Sequence, residues 1–208
     1  MLLFDLDGTL IDSNGVWRQV DVDFLARRGI PWTEEYNQGV MHATLALGAA
    51  FTKEFCHLPE SEEAIMQEWL DMVYVQYAQH IPLKPYVRPY LEACAAKGLP
   101  MAIYTSCEPA LCQAALTHHD LCCYFQTVFY ASTLGVEKRS PEGFRIAARQ
   151  LNCAPEEITF FDDSPLSCTA AKEAGLVTVG VWDPLFAAHE AEMRQSCHRY
   201  IRSFQELL

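Results

Sequence analysis

Four apolar runs, "PMAIY" at 100–104, "TVFYA" at 127–131, "EITFF" at 157–161 and "LVTVGV" at 176–181, recur through the last two-thirds of the chain. Runs this short and this apolar are expected to be strands buried on both faces. The segments around them carry helix signals: "PYLEACAAKG" (89–98) ends on Gly98, "PALCQAALTHH" starts at Pro109, "PEGFRIAARQLN" starts at Pro141, and "SPLSCTAAKEAG" starts at Ser164 and stops at Gly175. Proline fits the first turn of a helix and glycine its end. Strands alternating with such helices demand βαβ crossovers, hence an α/β fold with an open parallel sheet covered on both faces. "FDLDGTL" (4–10) supplies a further strand near the start, and "RYI" (199–201) reads as a short edge strand.

Residues 14–84 break this rhythm. "VWRQVDVDFLARRG" (16–29), the region from Thr33 to Leu47, and "SEEAIMQEWLDMVYVQYAQH" (61–80) read as helices, the last opened by Ser61 and its following glutamates. An all-helical insert after the first strand is expected, with "IPLKPYV" (81–87) as the return linker. Ser203 and Glu206 have the spacing of a capped final turn.

The formal net charge of -12, with no basic patch, argues against nucleic acid or an anionic membrane as partner. No apolar stretch has the length of a membrane span, and aspartates at positions 5 and 7 occupy the place of a signal's basic region. A cytoplasmic protein is expected, and a monomer. The nine cysteines are scattered with no Cys-x-x-Cys pair, so reduced, packed thiols are expected rather than disulfides or zinc.

Asp5 and Asp7 stand two apart, and in a strand such residues face the same side, at the carboxyl end where open α/β sheets bind ligands. Two carboxylates held together there call for a cation between them or a shared proton. A calcium loop counted from Asp5 fails, because its required glycine falls on Leu10 and its bidentate glutamate on Val16. Each later strand end also carries a reactive group: Thr105 and Ser106, then Lys138, then Asp162 and Asp163. Carboxylates, hydroxyls and one ammonium make an oxygen-rich cluster suited to Mg²⁺. Helix capping accounts well for one of Asp162 and Asp163 and poorly for both.

"DLDGTL", Thr105-Ser106, "EKRSPEGF" and "FFDDSP…AAKEAGL" resemble, in order and spacing, the four motifs of the haloacid dehalogenase-like superfamily in its phosphatase and phosphomutase branch. The resemblance implies a Rossmann-like core of residues 1–13 and 85–208 and a helical cap domain of residues 14–84. It implies that Asp5 is the nucleophile that takes a phosphoryl group, and that Asp7 is the general acid and base. It further implies Mg²⁺ on Asp5, Asp7, Asp162 and Asp163, and phosphate binding by Gly8, Thr9, Thr105, Ser106 and Lys138. Two departures bear on loop geometry: Glu137-Lys138-Arg139 replaces the usual Gly-Lys-Pro, and Ser167 stands where glycine is common.

Within that family Asp7 selects phosphoryl transfer over dehalogenation. A small phosphorylated metabolite is the expected substrate and a phosphatase the expected activity, with a β-phosphoglucomutase-like mutase and a phospho-ligand-binding protein of little turnover as alternatives. From Gly29 to Leu83 the one Lys or Arg is Lys53, against Glu34, Glu35, Glu54, Glu60, Glu62, Glu63, Glu68 and Asp71. A mutase must hold a second phosphate, and that segment offers it little positive charge.

Overall fold

Alternating side chains of the central strands reach two separate aromatic layers, which is how so short a set of strands is buried on both faces. The computed structural model describes residues 1–40 and 45–208. In chain order its elements are β1 (Leu2–Phe4), α1 (Val16–Arg27), α2 (Glu34–Val40), α3 (Leu45–Phe55), α4 (Glu62–Gln79), α5 (Val87–Ala96), β2 (Met101–Thr105), α6 (Pro109–His118), β3 (Val128–Tyr130) and α7 (Ala131–Leu134). They continue with α8 (Pro141–Leu151), β4 (Thr159–Asp162), α9 (Pro165–Glu173), β5 (Val177–Val181), α10 (Glu190–Ser196) and β6 (Arg199–Ile201). The strands form one parallel sheet in the order β3-β2-β1-β4-β5-β6.

On one face Leu3, Tyr104, Phe129 and Phe160 pack with Phe144, Ala147 and Ala148 of α8 and with Ala170 and Ala171 of α9. On the other, Phe4 stacks on Phe161 with ring centroids 4.7 Å apart, and Tyr90 of α5 and Phe204 close over them. Neighbours in sequence, Leu3 and Phe4 or Phe160 and Phe161, therefore serve opposite layers, as the two-residue period of a strand requires. The final turn is capped as its spacing predicts, with Ser203 and Glu206 each bonding the other's backbone.

The chain divides into two compact units, Met1–Asn14 with Ile81–Leu208, and Gly15–His80. The sheet and its helices make the first. Its two connections to the insert run side by side: Asp12 N–H donates to Pro82 O at 2.9 Å and Lys84 N–H to Leu10 O at 3.0 Å. Lys84 is itself buried and pairs with buried Asp183 at 2.6 Å, fixing the return connection to the loop after β5.

The second unit is α1 to α4. Ser61 caps α4 by accepting from Ala64 N–H at 3.2 Å. Arg28 joins Glu60 at 3.0 Å and Glu68 at 2.6 Å, tying the end of α1 to α4. Phe51 and Phe55 of α3 pack on Tyr36 of α2, which is why the helical segment expected to end at Leu47 runs on to Phe55. The middle of that expected helix, residues 41–44, lies outside the described residues. No helix among the described residues is long and apolar enough to cross a membrane.

Tyr36 is fully buried, and its hydroxyl lies 2.9 Å from Thr52 Oγ1 and donates to Asp21 Oδ1 at 3.3 Å. Burial pushes the Asp21 carboxyl up to about 6, and the Tyr36 hydrogen bond opposes the rise. A carboxyl raised on folding keeps its proton in the folded chain while the unfolded chain loses it, so stability falls as pH rises from about 4 to about 6. Asp21→Asn removes that fall and is expected to raise stability at pH 7.5 by about 1 kcal/mol, allowing for solvent screening of a part-exposed group. Thermal melts of both proteins at pH 4 and pH 7.5 check it: the gain should appear only at the higher pH.

Candidate active site

β1 and β4 are neighbours in the register Phe4↔Phe161, so the next residues, Asp5 and Asp162, stand opposite each other at the carboxyl ends of the strands. Asp5 N–H donates to Phe161 O at 2.9 Å and closes the step. This is the place where strand order reverses, with β2 and β3 on one side and β4 to β6 on the other. Asp163 follows Asp162, β2 ends on Thr105, and the loop before α8 brings Lys138. Parallel register thus gathers residues from four distant stretches of sequence.

Lys138 Nζ pairs with Asp5 Oδ1 and, at 2.7 Å, with Asp162 Oδ2. Asp5, Asp162, Asp163 and Lys138 are exposed by 6%, 0%, 3% and 7%, so water screens none of these charges. Below the ammonium the floor is aromatic: Nζ lies 5.3 Å from the Phe160 ring and 6.0 Å from that of Tyr104. The Tyr104 hydroxyl lies where a Cβ on Gly143 would come within 2.0 Å of it, so only glycine fits at that point in the first turn of α8.

Three buried carboxylates gather near one ammonium, which pairs with Asp5 and Asp162. Burial raises the Asp5 carboxyl well above its usual range; Lys138 opposes this, and Asp162, Asp163 and lastly Asp7 add to it. Burial and then the Asp162 charge push Asp163 up to about 7, against the Asn14 hydrogen bond. Burial works against the Lys138 ammonium, but Asp162 and Asp5 outweigh it and hold its pKa above the ordinary lysine value.

Asp162 is fully engaged, since its Oδ1 accepts from Ser164 N–H at 2.6 Å while Oδ2 holds Lys138. Asp163 is oriented by two donors, Asn14 Nδ2 at 2.8 Å and Thr9 Oγ1 at 3.3 Å. One oxygen from each of Asp5, Asp162 and Asp163 lies within 4.8 Å of the others. Oxygen-only donors with an excess of negative charge are what Mg²⁺ takes, so the residues fit that ion.

Asp5 and Asp7 take different hydrogen-bond partners. β1 stops at Phe4, and the chain then turns tightly, with Leu10 and Ile11 N–H both donating to Leu6 O. Both aspartates therefore lie beyond the strand itself. Asp5 points to Lys138, whereas Asp7 accepts from Ser13 Oγ at 2.6 Å. Gly8 makes the turn with φ +75°, and a Cβ there would meet Asn14 Nδ2 and Asp163 Oδ2 at 2.2 Å.

Thr105 is buried, and its Oγ1 accepts from Cys107 N–H at 3.0 Å; Ser106 is exposed and lines a cavity together with Lys138. Thr9, expected against phosphate, is wholly buried with its hydroxyl on Asp163. Sequence reasoning passed over Ser13 and Asn14. Their signal is slight, two small polar residues just after the opening motif, and only the turn at Gly8 gives them direction.

Replacing Lys138 by methionine leaves its carboxylates without a partner in a buried place. The variant is expected to lose roughly 3 kcal/mol or more at pH 7 in chelator-treated protein, and less at pH 5, where protonation removes the unpaired charge. Denaturant melts at the two pH values check this; equal losses at both would refute it.

A family model described as haloacid dehalogenase-like hydrolase matches residues 1–175. The chain is 25% identical over 175 residues to the "Phosphorylated carbohydrates phosphatase" of Thermotoga maritima, covering 84% of this chain and 81% of that protein. It is 29% identical over 199 residues to the "Phosphoglycolate phosphatase" of Escherichia coli K12, covering 86% and 79%. A solved structure from Thermotoga maritima shares the fold with a TM-score of 0.85 at 24% identity, over 96% of this chain and 93% of that one.

Proposed function

The chain belongs to the haloacid dehalogenase-like hydrolase family, and from that premise we propose that it is an Mg²⁺-dependent phosphatase that hydrolyses a small phosphomonoester through an aspartyl-phosphate intermediate. The observation that carries the reading is the buried grouping of Asp5, Asp162 and Asp163 at adjacent strand ends, the first two paired with Lys138. A binding protein needs no such costly concentration of charge, whereas phosphoryl transfer depends on it.

In this reading an Asp5 carboxylate oxygen attacks phosphorus, and the bond from phosphorus to the leaving oxygen breaks. Asp7 gives that oxygen its proton, then takes one from the water that attacks the aspartyl phosphate, releasing inorganic phosphate and restoring Asp5. Ser13 holds the Asp7 carboxylate through its hydrogen bond. Lys138 offsets charge on Asp5 and on the phosphoryl group, and Thr105 with the Ser106 backbone would hold phosphoryl oxygens. Asp5, Asp163 and the Asp7 backbone carbonyl would hold Mg²⁺, with Asp162 retained by Lys138. When bound, the ion supplies positive charge that balances the phosphoryl oxygens.

Relatives named for phosphorylated carbohydrates and for phosphoglycolate support a small phosphomonoester as substrate. We read the helical unit as the family's cap. From Gly29 onward it carries one Lys or Arg, Lys53, with Arg18, Arg27 and Arg28 at its margin; that shortage favours water over a sugar phosphate as acceptor, because a mutase must bind a second phosphate. A cytoplasmic monomer completes the reading.

The test is phosphate release from p-nitrophenyl phosphate and a panel of sugar phosphates with Mg²⁺. Asp5→Asn should abolish turnover, and Asp7→Asn should lower it by roughly 10²–10⁴-fold. Chelation should stop release and added Mg²⁺ restore it. No release from any ester overturns the proposal, and conversion of β-glucose 1-phosphate to the 6-phosphate would move the assignment to a mutase.

A further inference from the structure

Two of the nine cysteines come together beside the end of β4. Cys168 belongs to α9 and Cys197 follows the last residue of α10, and with Met193 and the partly buried Tyr200 they form a small cluster of their own. Both are buried and both are free thiols.

The sheet register sets their meeting. β4 and β5 pair Asp162 with Gly180. The Cys168 thiol donates to Asp162 O at 3.6 Å, and Cys197 Sγ lies 3.2 Å from where a Cβ on Gly180 would stand. The two sulfurs therefore rest against residues opposite each other on strands about 4.8 Å apart, and they are in hydrogen-bond contact with each other.

The backbone is held on both sides of the pair. One turn along α9 from Cys168, Lys172 Nζ donates at 2.6 Å to the carbonyl of Ser196, the neighbour of Cys197. On the other side His198 N–H donates to Thr178 O at 3.0 Å and Thr178 N–H to His198 Nδ1 at 3.0 Å, which ties the chain to β5. Sulfurs fixed this closely reach the bonding distance of about 2 Å by a small side-chain movement.

The two thiols are unequal. Cys197 is the less deeply buried, 8% exposed against 2%. The Cys168 hydrogen bond pulls the Cys197 thiol down to about 7 against burial, with help from Ser196 and Thr178. Thiolate is the form that attacks a peroxide.

We propose that Cys168 and Cys197 are an oxidative modification site, a dithiol that hydrogen peroxide converts to a disulfide. The Cys197 thiolate attacks a peroxide oxygen, the O–O bond breaks, and a sulfenic acid forms while the departing hydroxide takes up a proton as water. The Cys168 sulfur then attacks the sulfenic sulfur. The S–O bond breaks, the S–S bond forms, and the Cys168 proton leaves with the hydroxyl as a second water. Two thiols have lost two electrons, and the peroxide has gained them.

Resting on the phosphatase reading, the disulfide lowers turnover. It removes the thiol proton from Asp162 O and draws on the first turn of α9, where Cys168 N–H bonds Ser164 O at 3.0 Å and Ser164 N–H bonds Asp162 Oδ1 at 2.6 Å. Asp162 in turn holds Lys138, so the displacement reaches the ammonium beside Asp5.

The test exposes the full chain to hydrogen peroxide, alkylates the remaining thiols in denaturant and maps the peptides by mass spectrometry before and after dithiothreitol. A linked pair joining Cys168 to Cys197, lost on reduction, is expected. In Cys168→Ala, dimedone should label Cys197; in Cys197→Ala it should leave Cys168 unlabelled. Recovery of both residues as alkylated thiols, linkage of either only to another cysteine, or dimedone on Cys168 alone overturns the proposal. Mapping of the wild type needs no variant to fold.

Turnover of p-nitrophenyl phosphate with Mg²⁺ reads the consequence. The oxidised wild type should lose about tenfold or more, as a small misplacement at a phosphoryl site allows, and should recover in dithiothreitol. Cys197→Ala should start near the wild-type rate and keep it in peroxide. An equal loss in that variant overturns the link to turnover. If even reduced protein hydrolyses no ester, the phosphatase reading fails, and the peptide map still decides the disulfide.

Discussion

One buried ammonium reconciles two carboxylates on adjacent strands that would otherwise repel. Lys138 reaches Asp5 and Asp162 together, and offsets the repulsion between carboxylates that the β1 and β4 register sets side by side. The arrangement leaves negative charge in excess, since Asp163 is added without a second cation. Its two hydrogen-bond donors, Asn14 and Thr9, orient that carboxylate but do not neutralise it. A site of this kind is strained toward cations, and its neighbours are chosen to keep it so. The aromatic floor of Phe160 and Tyr104 gives Lys138 a face to rest against without supplying an anion that would compete.

Much of this was legible in the sequence, for reasons that differ from element to element. Strands buried on both faces appear as unbroken apolar runs, so β2, β4 and β5 announce themselves, and prolines at 109, 141 and 165 mark the starts of α6, α8 and α9. Charged residues at strand ends are conspicuous because apolar runs precede them, which made Asp5, Asp162 and Asp163 visible. The partner of Asp7 was not visible. A period of two holds only while the strand lasts, and the backbone bonds that turn the chain at Leu6 have no side-chain signature. Ser13 and Asn14 escaped for the same reason, because their partners are fixed by a turn and not by spacing. Short helices such as α7 and α10 lack the length over which periodicity can be read.

The two aromatic layers also explain why the site tolerates so little change around it. Gly143 lies under the Tyr104 hydroxyl, and Gly8 lies under Asn14 and Asp163; both are places where one methyl group would displace a polar atom belonging to the site or its floor. Gly143 touches no substrate in any reading given above, whereas Gly8 is also expected at the phosphate. They act by absence of volume, which links backbone conformation in one loop to the position of a carboxylate in another.

The paired crossings at residues 10–12 and 82–84, with Lys84 pinned to Asp183, make the helical unit an excursion that leaves the sheet and returns at one point. The entropy of closing that long excursion is then met by a few hydrogen bonds and one ion pair at its neck, and it grows only slowly with the length beyond. A change in the length of the excursion therefore adds little to the cost of closing it. Room for change in that excursion is thus built into the connectivity, at a neck of a few residues held by backbone bonds and one ion pair.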